Sequence, residues 1–103
     1  MKFGLTQEQY KYILETVVLP LESNEAIVWC FGSRARGDYK KFSDLDLMVE
    51  SKKDQSVLMA KIRETLENSN FPLKVDLVDK NEFAISYLEN FNKEKIRFKK
   101  VAD

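Results

Sequence analysis

The longest uninterrupted apolar run in the chain, Ala26–Phe31, is only six residues long. A helix that crosses a bilayer needs about 20 apolar residues, so this run is too short to span a membrane. It is rich in β-branched and aromatic residues and is followed directly by Gly32, which predicts a short buried strand. A chain of 103 residues has the size of one domain, so we expect a single domain over residues 1–103.

The segment before this strand has the periodicity of a helix. Thr6 and Gln9 match a capping box, in which each side chain bonds the backbone N–H of the other residue. Apolar residues then recur at helical spacing from Tyr10 to Val18. Pro20 is expected to end the helix, because proline lacks the N–H that a helix interior needs.

Two later segments alternate apolar and polar residues, which predicts strands over Asp44–Glu50 and Leu73–Val78. Asn81 is expected to cap a last helix, and Asp54 is expected to cap a helix between the two strands, whose buried side carries Val57, Leu58, Ile62 and Leu66. This order of elements predicts an α/β (α+β) fold, in which helices pack on a small mixed β-sheet.

Three carboxylates occupy unusual positions in these strands. Asp44 and Asp46 are two residues apart and share one face, at a spacing of about 6.6 Å. Asp76 lies in the middle of the next strand, where aspartate is disfavoured. If the strands are neighbours, about 4.8 Å apart, the three carboxylates converge, and such oxygen ligands suit Mg²⁺ or Mn²⁺. The simpler alternative is that Asp44 and Asp46 are solvated residues at the start of a strand.

The first predicted strand leads into the glycine-bounded segment Gly32–Gly37. A glycine directly after a strand lets the backbone approach a ligand closely, and a helix beginning near Ser33 would present N–H groups to a phosphate. The Ser33 hydroxyl and the guanidinium groups of Arg34 and Arg36 are further phosphate donors. A plain strand-to-helix turn with two surface arginines explains the segment equally well.

Residue counts exclude several classes of site. The chain has no histidine and one cysteine, Cys30, so it lacks a Ser–His or Cys–His pair, an internal disulfide and a cysteine or histidine cluster for zinc. Lys+Arg and Asp+Glu both number 17, so net charge gives no reason to expect nucleic-acid or membrane binding. The early polar residues argue against a signal peptide, and a cytoplasmic protein is expected.

In combination, these motifs resemble a known family. Gly32-Ser33, ten residues and then Asp44-Leu45-Asp46 is similar to the motif of the DNA polymerase β-like nucleotidyltransferases. The fuller runs GSRARG, SDLDLMV and LKVDLVD closely resemble the minimal nucleotidyltransferase (MNT) proteins. The resemblance implies the polymerase β-like fold and transfer of a nucleoside monophosphate from a triphosphate, expected to be ATP, to an acceptor hydroxyl.

The same resemblance implies roles for the site residues. Gly32 and Ser33 would bind the β- and γ-phosphates, with Arg34 and Arg36 as further phosphate contacts. Asp44 and Asp46 would bind two metal ions, expected to be Mg²⁺ with Mn²⁺ as an alternative. Asp76 would complete the metal site near the acceptor and help to take its proton.

The resemblance also implies a partner protein. MNT proteins are typically encoded beside a HEPN-domain toxin and act as its antitoxin, so a tyrosine of a HEPN ribonuclease is the expected acceptor, in a homo- or hetero-oligomer. Two alternatives stay open: a non-catalytic antitoxin that neutralises the toxin by binding, and transfer to a small molecule such as an aminoglycoside. The complete set of carboxylates argues against the first, and the absence of residues for an added acceptor domain argues against the second.

At the C-terminal end, Ile96 and Phe98 alternate with basic residues, which indicates an edge strand or a frayed helix end. The basic residues are Lys93, Lys95, Arg97, Lys99 and Lys100. They are typical of a solvated end or of a contact with a partner or nucleic acid.

Overall fold

The computed structural model describes residues 2–99, and at its centre is a four-stranded mixed sheet in the order β3-β2-β1-β4. The strands are β1 (Ala26–Phe31), β2 (Leu45–Ser51), β3 (Val75–Asp79) and β4 (Ile96–Arg97). The helices are α1 (Gln7–Ile13), α2 (Leu19–Ser23), α3 (Ser33–Arg36), α4 (Ser56–Glu67) and α5 (Ile85–Glu94). β1 pairs antiparallel with β2 and β4, whereas β2 and β3 are parallel. The predicted fold class is therefore confirmed, and α4 forms the crossover that a parallel pair requires.

One face of the sheet carries the main core. Val28 and Cys30 of β1 and Leu45 and Leu47 of β2 are fully buried there. The N-terminal helical segment and α4 contribute further buried residues to the same cluster, among them Ile13, Val17, Leu21, Met59 and Ile62. The period of two in the strands follows from this arrangement, because alternate side chains point to opposite faces of a sheet.

The opposite face is covered in part by α5. The rings of Phe31 on β1 and Phe91 on α5 meet with centroids 5.6 Å apart. Met48, which shares its face of β2 with Asp46, is fully buried. Asp76, the second residue of β3, is exposed. The helix on this face therefore does not cover the predicted carboxylate site.

The N-terminal helical segment differs from its prediction at Pro20. The capping box is confirmed, with Gln9 N–H donating to Thr6 Oγ1 at 3.1 Å and Thr6 N–H donating to Gln9 Oε1 at 2.9 Å. The prediction that Pro20 ends the helix is wrong, because helical structure continues to Ser23. A π-helical segment, Leu14–Val18, comes first, and Pro20 then stands in the first turn of α2, where a helix tolerates proline.

The buried side of α4 is the predicted one except at Val57. Ile62 is buried, and Leu58 and Leu66 are partly buried against the core, whereas Val57 is 70% exposed. Val57 stands in the first turn and points into solvent, so its prediction as a buried residue is wrong. Asp54 does contribute to the start of the helix, since its Oδ1 accepts a hydrogen bond from Ser56 N–H at 2.9 Å.

The segment after β3 also departs from its prediction. Asn81 lies in a short 3₁₀ turn, and its N–H donates to Oδ1 of Asp79 at 2.9 Å. α5 begins only at Ile85, after Ala84, so Asn81 is not its cap. At the C-terminal end β4 confirms the edge-strand alternative, and Lys100 lies outside the described residues. Within residues 2–99 no helix has the length and apolar character needed to cross a bilayer.

Candidate active site

Strand pairing brings the predicted carboxylates to one end of the sheet. Asp46 of β2 lies directly opposite Asp76 of β3 in the parallel pair, so their side chains leave the same face on strands about 4.8 Å apart. Asp44 immediately precedes β2 and is two residues from Asp46. Asp46 is partly buried, whereas Asp44 and Asp76 are exposed. The convergence that the sequence predicted is therefore present in the backbone.

The electrostatics of this end are dominated by negative charge. Burial, followed by the charges of Asp76 and Asp44, raises the pKa of Asp46 from 3.8 to about 6. Arg36 acts in the opposite direction and lowers that pKa. Like charges raise the pKa of a carboxylate, and a nearby cation lowers that pKa because it stabilises the ionised form.

The donor set fits a hard divalent ion. Carboxylate oxygens are the ligands preferred by Mg²⁺ and Mn²⁺. In their present rotamers, no group of three aspartate, glutamate or cysteine side chains among residues 2–99 is placed to hold a metal ion. Asp46 and Asp76 lie directly opposite each other, so rotation of their side chains would bring the two carboxylates toward a shared metal site.

Gly32 lies beside this carboxylate end because the strand pairing extends to it. Phe31, the last residue of β1, is opposite Asp46. Gly32 has φ +73°, and a Cβ on it would overlap Oδ2 of Asp46. Glycine is therefore needed here both for the backbone conformation and for the close approach. α3 begins at Ser33, so the predicted phosphate segment and the carboxylates form one site.

A salt bridge joins α3 to α5 beside Gly32. Arg36 Nη1 donates to Glu94 Oε2 at 3.0 Å, and Arg36 Nε donates to Asp38 Oδ2 at 3.2 Å. The backbone N–H of Gly32 donates to Glu94 Oε1 at 3.2 Å. Hydrogen bonds to Glu94 and Asp38 raise the pKa of Arg36. Arg36 thus lies at the predicted site, with a carboxylate partner that was not predicted.

Glu94 was missed because no motif contains it. It is 62 residues from Gly32, and the other glutamate of α5, Glu89, is an ordinary surface residue. The one signal in the sequence is helical spacing. Glu94 follows the buried Phe91 by three residues, which places both on the side of α5 that faces the protein.

Arg34 is not available to a phosphate. It is only 3% exposed, and its Nη1 donates to the carbonyl oxygen of Phe3 at 2.9 Å. Its Nε and Nη2 donate to the carbonyl oxygens of Ser43 at 2.9 Å and Lys41 at 3.2 Å, and its guanidinium lies 5.0 Å from the ring centroid of Tyr39. The expected phosphate contact of Arg34 is therefore corrected to a structural role, since every donor group is directed at the backbone.

A cavity of about 660 Å³ lies on the same sheet face but away from the carboxylates. Ile27, Glu50, Lys80, Phe83 and Leu88 contribute to its lining. Ile27 is opposite Glu50, four pairs along from Phe31 and Asp46, which corresponds to about 13 Å at the rise of a strand. The carboxylate end is therefore separate from this cavity, whose lining includes none of the three predicted carboxylates.

Three of the basic C-terminal residues make side-chain contacts within the chain. Arg97 Nη2 bonds Glu22 Oε2 at 3.1 Å, and Lys93 Nζ bonds Glu89 Oε1 at 3.3 Å. Lys95 Nζ lies 4.4 Å from the centroid of Trp29. These contacts favour a structural role for that segment over a free basic surface.

Comparison with known proteins places this geometry in a family. The model of the nucleotidyltransferase domain matches residues 12–103. The chain is also 43% identical over 53 residues to the probable protein adenylyltransferase MntA of Haemophilus influenzae. That match covers 50% of this chain and 46% of the relative, so the chain is matched to about half the length of that protein.

Solved structures share the fold at low sequence identity. A chain from a toxin–antitoxin complex with AMP-PNP has a TM-score of 0.63 and 17% identity, over 94% of this chain and 75% of that one. A chain from the complex of the tri-AMPylated HEPN toxin of Shewanella oneidensis with its MNT antitoxin has a TM-score of 0.55 and 17% identity, over 94% and 74%. The fold and the match over residues 12–103 confirm the resemblance carried by the Gly-Ser and Asp-Leu-Asp motifs: the chain belongs to the nucleotidyltransferase domain family.

Proposed function

We propose that the protein transfers AMP from ATP to a hydroxyl group of a partner protein, in a reaction that depends on divalent metal ions. The observation that carries this proposal is the opposition of Asp46 and Asp76 directly beside Gly32. Carboxylates for metal and a glycine that admits phosphate are the parts that phosphoryl-type transfer needs, since it depends on positioning and charge neutralisation.

Each residue has a role that follows from its place. Asp44 and Asp46 would hold the metal ions, and Gly32 and Ser33 would receive the β- and γ-phosphates. When bound there, Mg²⁺, or Mn²⁺ in its place, would supply the positive charge that neutralises the phosphates. Asp76 is exposed on the side of β3 that an acceptor can reach, so it is suited to take the proton of the acceptor hydroxyl. The new bond joins that oxygen to the α-phosphorus, and pyrophosphate leaves.

The acceptor is proposed to be a tyrosine of a HEPN-domain toxin, with this protein as the antitoxin. Support comes from the relative, a probable protein adenylyltransferase, and from the similar fold in a complex with an AMPylated HEPN toxin. The shallow carboxylate end also fits an acceptor that another protein presents, because two of the three carboxylates are exposed.

The test is labelling of the partner. The purified protein would be incubated with Mg²⁺, α-labelled ATP and the HEPN-domain protein encoded beside its gene. We expect label on a tyrosine of the partner, lost in Asp44→Asn/Asp46→Asn and kept in the charge-matched control Glu64→Gln/Glu67→Gln on the exposed side of α4. A stable complex without label would instead indicate neutralisation by binding, and label on an added aminoglycoside would indicate a small-molecule acceptor.

A further inference from the structure

Glu94 holds donors that the proposed function assigns to the triphosphate. One of its oxygens accepts from Gly32 N–H at 3.2 Å and the other accepts from Arg36 Nη1 at 3.0 Å. We propose that Glu94 is an internal substitute for a phosphate group, which holds these donors in place and gives them up when nucleotide binds. This inference rests on the proposed function, because it takes Gly32 and Arg36 as phosphate contacts.

The chemistry of the contact is that of an anion site. A carboxylate and a phosphate both present paired oxygens to a backbone N–H and a guanidinium, and such charge-assisted bonds are stronger than neutral ones. The Glu94 side chain is 18% exposed and that of Arg36 46% exposed. The pair is therefore accessible from solvent, and a soluble anion can reach both donors.

A bound triphosphate and the Glu94 carboxylate cannot share these donors without repulsion, because both are anions within a few ångströms. Rotation of Glu94 away from Gly32 and Arg36 would therefore favour binding of the triphosphate.

Release of Glu94 requires only rotation of its side chain. It is the last residue of α5, and the backbone next to it is held by other contacts. Lys95 N–H donates to the carbonyl of Phe91 at 2.9 Å, and Lys95 Nζ lies over the ring of Trp29. The end of α5 can thus stay in place while the carboxylate turns away from Gly32 and Arg36.

The test is the affinity of the full chain for ATP with Mg²⁺, measured by isothermal titration calorimetry. Glu94→Gln keeps an oxygen for Gly32 N–H but removes the charge that competes with phosphate, and Glu94→Asp withdraws the carboxylate by one methylene. We expect both to bind ATP about five-fold more tightly than the unmodified protein, the scale of one charge pair near a surface. Glu89→Gln, which makes the same charge change on the exposed side of α5, should leave the affinity unchanged.

Inorganic tripolyphosphate should show the same gain as ATP, because the competition is at the phosphates. If Glu94 had only a structural role, its replacement would disorder the segment around Gly32, and the affinity for ATP would fall instead of rising. Equal or weaker binding by Glu94→Gln, with ATP binding intact in the unmodified protein, would overturn the inference and leave the proposed function standing. If neither the unmodified protein nor Glu89→Gln binds ATP, the proposed function fails and the inference falls with it.

Discussion

Asp46 of β2 is the direct cross-strand partner of Asp76 of β3. Like charges opposite each other destabilise a sheet, and the charge of Asp76 contributes to the raised pKa of Asp46. The chain places a third carboxylate, Asp44, beside the pair instead of a basic residue. Repulsion among these carboxylates therefore lowers the stability of this end of the sheet. Such a loss of stability is expected where residues serve function at the expense of folding.

The first prediction is that Asp46→Asn stabilises the protein when divalent ions are chelated. The pKa of Asp46 is raised from 3.8 to about 6, so above pH 6 its charge opposes folding. We expect a gain of roughly 1 kcal/mol at pH 7.5, less than the full pKa shift implies because solvent screens the charge. In thermal unfolding this corresponds to a Tm about 4–8 °C higher.

The pH dependence gives the sign of this effect. As the pH falls from 6 toward 4, Asp46 takes up a proton in the folded state before it does so in the unfolded state, so the cost of its charge disappears. The advantage of Asp46→Asn should shrink over this range and be absent near pH 4. A Tm at pH 7.5 equal to or below that of the unmodified protein would contradict the electrostatic account of this residue.

The second prediction contrasts two glycines with positive φ. Gly32→Ala puts a Cβ on a backbone with φ +73° and ψ −157°, a conformation essentially restricted to glycine that costs about 1–3 kcal/mol, and this Cβ would overlap Asp46. Gly37→Ala is the control for positive φ, because Gly37 has φ +94° and nothing within 4 Å of its would-be Cβ. Both variants should unfold at lower urea concentration, with the larger loss in Gly32→Ala, and only Gly32→Ala should lose ATP binding. Loss of ATP binding in both would mean that backbone strain alone disables the site.

The third prediction separates the two arginines. Arg34→Met leaves the buried carbonyl of Phe3 without its donor and removes two part-buried hydrogen bonds, to the carbonyls of Lys41 and Ser43. An unpaired buried group costs about 1–3 kcal/mol, so we expect urea denaturation to show a loss of at least about 1 kcal/mol. Arg36→Gln changes an exposed side chain, so it should unfold at nearly the urea concentration of the unmodified protein while binding ATP more weakly. If Arg34→Met instead kept its stability and bound ATP more weakly, while Arg36→Gln lost stability, Arg34 would be the phosphate contact.

The fourth prediction concerns Cys30, which is fully buried on the core face of β1. Burial raises the pKa of its thiol to about 12, so almost none is thiolate at pH 8, and only the thiolate reacts readily. Ellman's reagent should label the native protein slowly, at a rate set by opening of the structure, and label it quickly in urea. Rapid labelling of the native protein would show that β1 is less protected than its burial indicates.

The carboxylates were predictable because their signal is local. A period of two places Asp44 and Asp46 on one face, and Asp76 stands out as an aspartate inside a strand. Their convergence depended on β2 and β3 being neighbours, which the parallel register establishes. Local sequence patterns were therefore enough to identify carboxylates that the strand register brings to one end of the sheet.

The remaining parts depend on contacts between distant residues. Arg34 and Arg36 have the same chemistry and lie two positions apart. They differ because Arg34 is buried in contact with a distant part of the chain, the carbonyl of Phe3, 31 residues earlier. Glu94 reaches Gly32 across 62 residues. Pro20 was misassigned because the π-helical segment before it has no sequence pattern that separates it from an α-helix.

The crossover through α4 determines when the site can form. Gly32 directly follows β1 and Asp46 lies on β2, and these two strands are close in sequence and pair antiparallel, whereas Asp76 joins only when β3 docks in parallel. Non-local parallel pairing is slow compared with the formation of a hairpin. A growing chain that has not yet released residue 79 from the ribosome therefore has the first half of the site and no complete one, so the carboxylate end is assembled late in folding.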